Sequence, residues 1–437
     1  MRRVGRGRLP RIVRSQPGTD ARRVAVASAV GTTIEWYDFF IYGTAAAVVF
    51  GPQFFPQISE VAGTLASFVT FAIGFIARPL GGVVMGHFGD RLGRKIVLVW
   101  ALMIMGCSTL AIGLLPPYAQ IGVWAPILLT TLRFIQGFAL GGEWGGAVLL
   151  SVEHAPAAQR GRFGSVVALG LPAGIVLSNA VFLIVSAVLT PEQFSTWGWR
   201  IPFIASAGLV AVGVFVRLRV AESPVFAQVL RAGAARRRPI VDVLRSDART
   251  VFLAAGSYVA ISGLGYILLV YFVSYATRRL GLPLPTTLLL VVIASIAGAP
   301  GIFVFAHWSD RIGRVRVMRW GLGAIVLWSM VFFPLADTGS VPLIGVALAG
   351  MLILQGAYLG PQPAVFAELF PAATRYSGAS LSLTLGTVLG GALAPLIAAT
   401  LFTMTGDSSL VTLYITGLSL VSFLCSLGLK ETRHTTL

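Results

Sequence analysis

Twelve long apolar runs make up most of this 437-residue chain. A helix needs about 20 apolar residues to cross the hydrocarbon layer of a bilayer, which is about 30 Å thick. Hydrophobic residues form 56% of the chain and charged residues only 11%, whereas about a quarter of a soluble domain is charged. This balance excludes a soluble enzyme. The runs lie near 24–50, 61–86, 95–115, 124–152, 164–189, 199–218, 250–276, 285–306, 316–336, 342–367, 376–402 and 409–429.

A polar, arginine-rich stretch divides these runs into two sets of six. It covers 219–249 and contains the sequence RAGAARRRP, which is typical of a loop. We therefore predict an all-α membrane protein of twelve transmembrane helices in two pseudo-symmetric six-helix bundles. The bundles are expected at 24–218 and 250–429, joined by a central cytoplasmic loop.

The basic residues orient the helices in the membrane. The formal net charge is +17, and most Lys and Arg residues lie on the side of the N-terminus, whereas the opposite loops hold Arg278 and Arg279. Because cytoplasmic loops collect Lys and Arg, we predict cytoplasmic tails at 1–23 and 430–437 and a multi-pass protein of the plasma (inner) membrane. The first tail lacks the apolar region and cleavage site of a signal peptide. Membrane topology explains the charge, so no nucleic-acid partner is expected.

Two loop motifs occur once in each half. HFGDRLGR begins at His87 and HWSDRIGR at His307, an offset of 220, while EHAPAAQR begins at Glu153 and ELFPAATR at Glu368, an offset of 215. Two unrelated motifs at nearly the same offset indicate a duplicated six-helix unit, as expected where a central site opens alternately to either side.

These motifs predict a cytoplasmic gate. We expect Asp90 and Arg94 to form a breakable lock with Glu153 and Arg160. The alternative is a basic turn that only follows the positive-inside rule. The predicted gate residues of both copies are Asp90, Arg91, Arg94, Glu153, Arg160, Asp310, Arg311, Arg314, Glu368 and Arg375.

Five charged residues lie within the apolar runs of the first half, whereas the runs of the second half have none at depth. They are Glu35, Asp38, Arg78, Arg133 and Glu143. Each costs about 2.5–3.5 kcal/mol at the centre of a bilayer if it is unpaired. Three carboxylates face two arginines, and a buried carboxylate without a cation tends to take up a proton. The set predicts an ion-coupled carrier, with static polar contacts between helices as the alternative.

Helix geometry suggests how these charges pair. At about 1.5 Å of rise per residue, Asp38 falls near the middle of span 1 and Arg133 in the outer half of span 4, and we expect these two to pair. Arg78 falls on the inner side at a depth similar to Glu143, and we expect it to pair with Glu143 or Glu35. Asp38 is therefore the first candidate for proton coupling, Glu35 the second, and Arg133 the partner. Arg133, Arg78 and Glu143 are also candidate substrate contacts. Further candidates are Tyr42, on the same helical stripe as Asp38, and Gln136, Asn179, Tyr258, Gln355 and Gln362.

Several motifs resemble those of a known carrier family. GHFGDRLGRK after span 2, RFIQGFALGG in span 4 and AESPVF after span 6 resemble motifs of the major facilitator superfamily. GTTIEWYDFFIYG, GEWGGA and GWRIPF are similar to the metabolite:proton symporter family within it. That family includes carriers of proline and betaine, 2-oxoglutarate, citrate and shikimate. The motifs GHFGDRLGRK and GGEWGGAVLLSVE resemble those of the shikimate-type carriers most. The pairing of Asp38 with Arg133 also resembles proton-coupled sugar carriers.

The resemblance and the buried charges together predict the function. We expect a monomeric proton-coupled symporter, driven by the proton gradient without a cofactor, that imports a small organic acid such as shikimate or another mono- or dicarboxylate. A symporter of a zwitterionic osmolyte, proline or betaine, is the alternative. LGLPAGIVLSN in span 5 lacks the G-P-x-x-G-G pattern of drug/proton antiporters, and two lone cysteines and four scattered histidines offer no metal site or nucleophile for a membrane-embedded enzyme.

Overall fold

The protein is described by a computed structural model that covers residues 17–92, 94–141, 151–152, 155, 159–219, 239–371 and 374–433. Within these residues, all regular secondary structure is helical. The predicted all-α fold class is therefore confirmed.

Twelve long helices in the described part of the chain overlap the twelve predicted runs, and we number them α1 to α12. They are α1 (Pro17–Val48), α2 (Glu60–Leu92), α3 (Arg94–Leu114), α4 (Trp124–Leu140), α5 (Arg160–Val188), α6 (Ile201–Arg219), α7 (Ala248–Arg278), α8 (Leu284–Ile312), α9 (Arg314–Ala336), α10 (Val341–Glu368), α11 (Arg375–Thr387 and Ala394–Thr405) and α12 (Ser409–Leu427).

Nine of the described helices are long and apolar enough to cross a membrane, namely α2 and α5 to α12. The apolar part of α3, Val99–Leu114, and the described part of α4 are shorter. α1 is long, but it carries Glu35 and Asp38 near its middle. These two carboxylates make α1 unusually polar for a helix at the centre of a bundle.

Short helical segments lie between the long helices in the described part of the chain. They are four α-helices, Phe50–Phe54, Tyr118–Ile121, Pro191–Thr196 and Pro239–Ser246, and the 3₁₀ segment Gly198–Arg200. The second copy of the repeated loop motif lies on the last turns of α8, and its turn is reduced to Gly313, whose φ of 119° suits glycine. Its Asp310 and Arg311 are therefore helical and not part of a loop.

The packing of the first six helices recurs in the last six. α1 packs against α5 as α7 packs against α11, α2 against α4 as α8 against α10, and α3 against α6 as α9 against α12. The two bundles meet along α5 and α8, along α2 and α11, and along α1 and α7. This repeated pairing agrees with the duplicated six-helix unit that the motifs indicate.

Two helices of the second bundle contain π-helical segments where they face the first bundle. Ile267–Tyr271 interrupts α7 and packs against α1, while Val388–Ala392 interrupts α11 and packs against α2. Such π segments are frequent at functional sites. We call the end of the bundle where α1 begins and α12 ends the terminal side, and the opposite end the distal side.

Candidate functional site

A small cavity lies between the two bundles. Its volume is about 50 Å³, which is enough for a few water molecules at about 10–15 Å³ each. A bound metabolite therefore requires the bundles to separate. Of the predicted substrate contacts, Tyr258 and Gln355 line the cavity. Among the other lining residues are Trp36, Phe40, Pro172 and Ile175 of the first bundle and Ser262, Tyr266, Ser295 and Ile302 of the second.

Charged contacts close the cavity on the terminal side. Arg160 at the start of α5 forms an ion pair of 3.4 Å with Glu368 at the end of α10. The backbone N–H groups of Gly161 and Arg162 donate to the carboxylate of Asp310 at 3.1 and 3.2 Å. A carboxylate at the first turn of a helix is favoured by the helix dipole. The first bundle is thus held to the second by residues of the predicted gate.

Arg314 reinforces this closure from within the second bundle. Its guanidinium group contacts Asp310 at 3.2 Å and also pairs with Glu368, and its side chain is only 1% exposed. Arg375 is buried, whereas Arg311 is exposed. Of the predicted lock in the first bundle, the side chains of Asp90, Arg91 and Arg94 and the whole of Glu153 lie outside the described residues.

Different contacts close the distal side. Arg278 at the end of α7 pairs with Glu60 at the start of α2. On α1, a Cβ atom at Gly43 would lie 2.7 Å from Val270, within the π segment of α7, so the two backbones approach closely there. The cavity is therefore covered by contacts between the bundles on both sides.

Asp38 lies at the start of a buried hydrogen-bond chain. Its side chain is 0% exposed, and its Oδ2 accepts a hydrogen bond from Thr109 Oγ1 at 3.1 Å. Thr109 Oγ1 accepts one from Gln136 Nε2 at 2.8 Å, and Gln136 Oε1 accepts one from Arg133 Nη1 at 2.7 Å. Asp38 Oδ1 has no hydrogen-bond partner among the described residues. The chain thus joins a buried carboxylate to a buried guanidinium group across α1, α3 and α4.

The direct ion pair predicted between Asp38 and Arg133 is absent from this structure. Thr109 and Gln136 lie between the two charges, because α3 packs against α4 and places a hydroxyl group there. The sequence predicted Gln136 as a substrate contact, whereas in the structure it is a link in this hydrogen-bond chain. Nothing in the sequence distinguished Thr109 from Ser108, the hydroxyl residue that precedes it in a mainly apolar helix.

Arg78 and Arg133 contact the same aromatic ring. The guanidinium carbon of Arg78 is 4.8 Å from the ring centre of Phe39, and that of Arg133 is 4.5 Å from it. Stacking on aromatic rings stabilises a desolvated cation by about 2 kcal/mol. Buried donor atoms remain without a hydrogen-bond partner in the described part of the chain, namely Arg78 Nε, Arg133 Nε and Arg133 Nη2. Two cations with free donors provide the chemistry to bind an anion.

A close approach of α2 and α4 makes room for these arginines. A Cβ atom at Gly137 would lie 2.0 Å from the carbonyl oxygen of Gly74, and one at Gly141 would lie 2.0 Å from that of Arg78. At Gly74, an added Cβ would lie 2.7 Å from Arg133 Nε. Glycine at these positions therefore permits both the helix contact and the position of Arg133.

Tyr266 separates the cavity from the two arginines. It lines the cavity and packs against Phe39, Phe71 and Phe75 of the first bundle, with ring centres 5.4, 5.7 and 5.0 Å apart. It immediately precedes the π segment of α7. Movement of Tyr266 would therefore connect the cavity with the cationic site.

The other predicted site residues are buried but lie apart from the cavity. Tyr42 donates to Thr70 at 2.7 Å, and the Arg133 guanidinium carbon lies 4.2 Å from its ring centre. Asn179 donates to the Ile175 carbonyl at 2.9 Å. Gln362 is 2% exposed and Glu35 is 6% exposed, whereas Glu143 lies outside the described residues.

Among the residues that the structure describes, no group of three or more His, Cys, Asp or Glu could hold a metal ion.

Comparison with known proteins gives a family for the chain. The sequence model of the Major Facilitator Superfamily matches residues 28–395. The chain is 43% identical to the inner membrane metabolite transport protein YhjE of Escherichia coli (strain K12), over 96% of this chain and 97% of that protein. It is 40% identical to the shikimate transporter of the same organism, over 95% of each chain.

The fold also matches a solved structure. The partially occluded inward-open conformation of the xylose transporter XylE from E. coli superposes with a TM-score of 0.75 and 16% sequence identity. The match covers 96% of this chain and 100% of that chain. At this identity the likeness concerns the fold, and it agrees with the two six-helix bundles described above.

Proposed function

This chain belongs to the major facilitator superfamily of membrane transporters, and on that basis we propose that it is a proton-coupled symporter for a small carboxylate-bearing metabolite. The bundles would open alternately to the two sides of the membrane, driven by the proton gradient without a cofactor. Relatives named as metabolite and shikimate transporters support this substrate class. The protein would be a monomer in the plasma membrane, and its terminal side would face the cytoplasm. The two bundles would comprise 24–218 and 250–429, joined by the cytoplasmic loop at 219–249, with cytoplasmic tails at 1–23 and 430–437.

The observation that carries the proposal is the buried chain from Asp38 to Arg133. Every donor in it points toward the carboxylate: Arg133 donates to Gln136, Gln136 to Thr109, and Thr109 to Asp38. This polarity suits an ionised Asp38. A buried carboxylate that shares no direct ion pair with an arginine is available to take up a proton.

Thr109 allows the chain to adapt when Asp38 is protonated. Besides the Asp38 carboxylate, the Thr109 hydroxyl has a second acceptor, the carbonyl oxygen of Met105 at 2.9 Å. A protonated Asp38 can donate to Thr109, which then donates to Met105. Protonation would reverse one hydrogen bond without depriving a further buried polar atom of its partner, which would otherwise cost about 1–3 kcal/mol.

The substrate carboxylate would bind the two arginines. Neutralising Asp38 leaves the positive charge of Arg78 and Arg133 less balanced, so the affinity of this site for an anion increases. Proton and anion uptake would then favour one another, as symport requires. Because Tyr266 lies between the cavity and the arginines, its displacement would accompany binding.

The test replaces the carboxyl group of Asp38. The purified Asp38→Asn protein in proteoliposomes is expected to lose accumulation driven by an imposed pH gradient, while exchange of labelled for unlabelled substrate continues. Asp407→Asn, which changes an exposed carboxylate in the loop before α12, is the matched control and should accumulate substrate normally. Uphill uptake by Asp38→Asn would contradict the proposal.

A zwitterionic osmolyte is the second candidate because of the aromatic lining of the cavity. Trp36, Phe40, Tyr258 and Tyr266 all contribute to its wall, and aromatic rings bind quaternary ammonium groups. Accumulation of glycine betaine in preference to organic acids, under the same pH gradient, would favour this candidate.

A further inference from the structure

Two polar atoms in the cavity wall have no hydrogen-bond partner. Ser295 Oγ on α8 and Gln355 Nε2 on α10 are buried without a partner in the described part of the structure. The two residues are 2% and 3% exposed. The wall is otherwise mainly apolar, and the hydroxyl group of Ser262, which also lines it, donates to the carbonyl oxygen of Thr387. Ser295 and Gln355 thus offer free hydrogen-bonding capacity inside the cavity.

Both residues lie on the helix faces that line the cavity. Ser295, Gly298 and Ile302 follow i, i+3, i+7 spacing on α8, and Gln355 lies on the corresponding stripe of α10 with Leu352 and Leu359. The two helices run in the same direction. Both side chains belong to the second bundle, whereas Asp38, Arg78 and Arg133 belong to the first.

The contact between α8 and α10 gives the spacing of the two groups. A Cβ atom at Gly298 would lie 2.9 Å from Leu352 Cβ, so these two residues lie at one level. Ser295 lies three residues to the distal side of that level and Gln355 three residues to the terminal side. At about 1.5 Å of rise per residue, their backbones are separated by roughly 9 Å along the helix axes. A molecule the size of a six-membered ring fits between two groups at that separation.

Leaving such groups unsatisfied is unfavourable. A buried donor or acceptor without a partner costs about 1–3 kcal/mol, and exceptions in folded proteins call for an explanation. A ligand that supplies the missing partners recovers this free energy on binding. Gln355 Nε2 requires an acceptor, and the Ser295 hydroxyl takes either role.

We propose that Ser295 and Gln355 bind hydroxyl groups of the substrate, which is therefore a hydroxylated organic acid. A hydroxyl group both donates and accepts, so it satisfies either side chain. Trp36 and Phe40, with ring centres 5.6 Å apart, line the other side of the cavity and would contact the apolar face of a ring. This inference rests on the proposed function, in which Arg78 and Arg133 bind the carboxylate, and it assigns the remaining substrate groups to the second bundle.

The same atoms disfavour a substrate without hydroxyl groups. The methyl groups of a quaternary ammonium compound neither accept from Gln355 nor bond to Ser295, so both would remain unsatisfied on binding. A site built to bind hydroxyl groups rejects analogues that lack them far more strongly than an apolar pocket rejects a change of one methylene group. Ser295 and Gln355 are thus specificity-determining residues.

The experiment compares two acids with the same carbon skeleton. Uptake of labelled shikimate into proteoliposomes under a pH gradient is inhibited with unlabelled shikimate or with cyclohexene-1-carboxylate, which lacks the hydroxyl groups. The unchanged protein is expected to prefer shikimate. Ser295→Ala and Gln355→Met should each reduce that preference about tenfold, corresponding to one lost hydrogen bond, with the inhibition constant of cyclohexene-1-carboxylate unchanged.

Two further variants separate a binding role from a structural one. Ser295→Thr keeps the hydroxyl group and should retain the preference for shikimate. Ser329→Ala removes a buried hydroxyl group on α9 that bonds to Ile325 and Ser419 away from the cavity, and it should leave the preference unchanged.

The outcomes distinguish this inference from the proposed function. Gradient-driven uptake of shikimate with the same preference in all variants would overturn the inference and leave the symporter proposal standing. Gradient-driven uptake of glycine betaine but of neither acid would overturn the inference and favour the osmolyte candidate. Absence of any gradient-driven uptake across this panel would count against both proposals.

Discussion

Arg160 at the start of α5 and Glu368 at the end of α10 form an ion pair of 3.4 Å that joins the two bundles on the terminal side. The Glu368 side chain is 0% exposed, and its carboxylate also pairs with Arg314. One buried carboxylate therefore holds an arginine from each bundle. Opening of the cavity to the terminal side has to break the pair with Arg160.

Replacing Glu368 should favour opening on that side. Glu368→Gln leaves Arg160 and Arg314 without this carboxylate, and breaking a buried ion pair costs about 3–5 kcal/mol. Because the cost falls on the closed arrangement, the terminal side should open more often, by a factor of ten or more. The measurement is the labelling rate of a cysteine at Ile302, which lines the cavity, by a membrane-impermeant maleimide, with Cys107 and Cys425 replaced.

Arg311→Gln provides the control for this experiment, since Arg311 belongs to the same motif but is exposed. Its labelling rate should match that of the unchanged protein. Equal rates for Glu368→Gln and Arg311→Gln would show that the pair does not limit opening.

The hydroxyl group of Thr109 should be required for coupling. Thr109→Val preserves the shape of the side chain but removes the donor to Asp38 and the acceptor for Gln136. Leaving these buried groups unsatisfied costs about 1–3 kcal/mol, so the initial rate of gradient-driven uptake should fall about tenfold. Thr109→Ser keeps the hydroxyl group and should retain most of the rate. If both variants transport equally well, the chain from Asp38 to Arg133 has no role in coupling.

Gly74 should be intolerant of even a methyl group. An added Cβ would lie 2.7 Å from Arg133 Nε. Arg133 is 0% exposed and its guanidinium group packs on the rings of Phe39 and Tyr42, so it has little space to withdraw. Overpacking of this kind costs about 1–3 kcal/mol, so Gly74→Ala should lower the melting temperature in detergent and reduce transport. Gly208→Ala on α6, where an added Cβ meets no atom within 4 Å, should melt at the same temperature or higher. A Gly74→Ala protein as stable and active as Gly208→Ala would contradict the proposed packing.

The positions of the helices could be predicted closely from the sequence. The run predicted at 342–367 corresponds to α10, Val341–Glu368, and the run at 316–336 to α9, Arg314–Ala336. The run at 285–306 ended too early, since α8 continues to Ile312. Its last turns carry Asp310 and Arg311, whose charge ended the apolar pattern before the helix ended.

The partners of the buried charges could not be predicted in the same way. Depth along a helix follows from residue number, and it led us to expect a direct pair of Asp38 and Arg133, whereas Thr109 and Gln136 connect them in the structure. Which side chain lies between them depends on how far α3 is rotated toward α1 and α4. The adjacent hydroxyl residues Ser108 and Thr109 of this mainly apolar helix do not indicate which of the two faces Asp38. Arg160 likewise binds Glu368 of the other bundle. The repeated motifs only relate corresponding positions of the two halves, so they could not indicate a contact between the halves.

The amino-acid sequence by itself determined that the chain is a twelve-helix membrane carrier with a duplicated six-helix plan, and that the charged residues deep within its apolar runs fall in the first half. Hydropathy, motif spacing and charge along a chain are one-dimensional quantities, and they suffice for these conclusions. Only the tertiary structure decided that Thr109 and Gln136 connect Asp38 to Arg133 and that Arg78 and Arg133 contact the ring of Phe39. It also decided that Ser295 Oγ and Gln355 Nε2 lie at the cavity without a hydrogen-bond partner among the described residues. These contacts depend on the rotation and mutual approach of helices distant in sequence, which packing of the whole bundle sets.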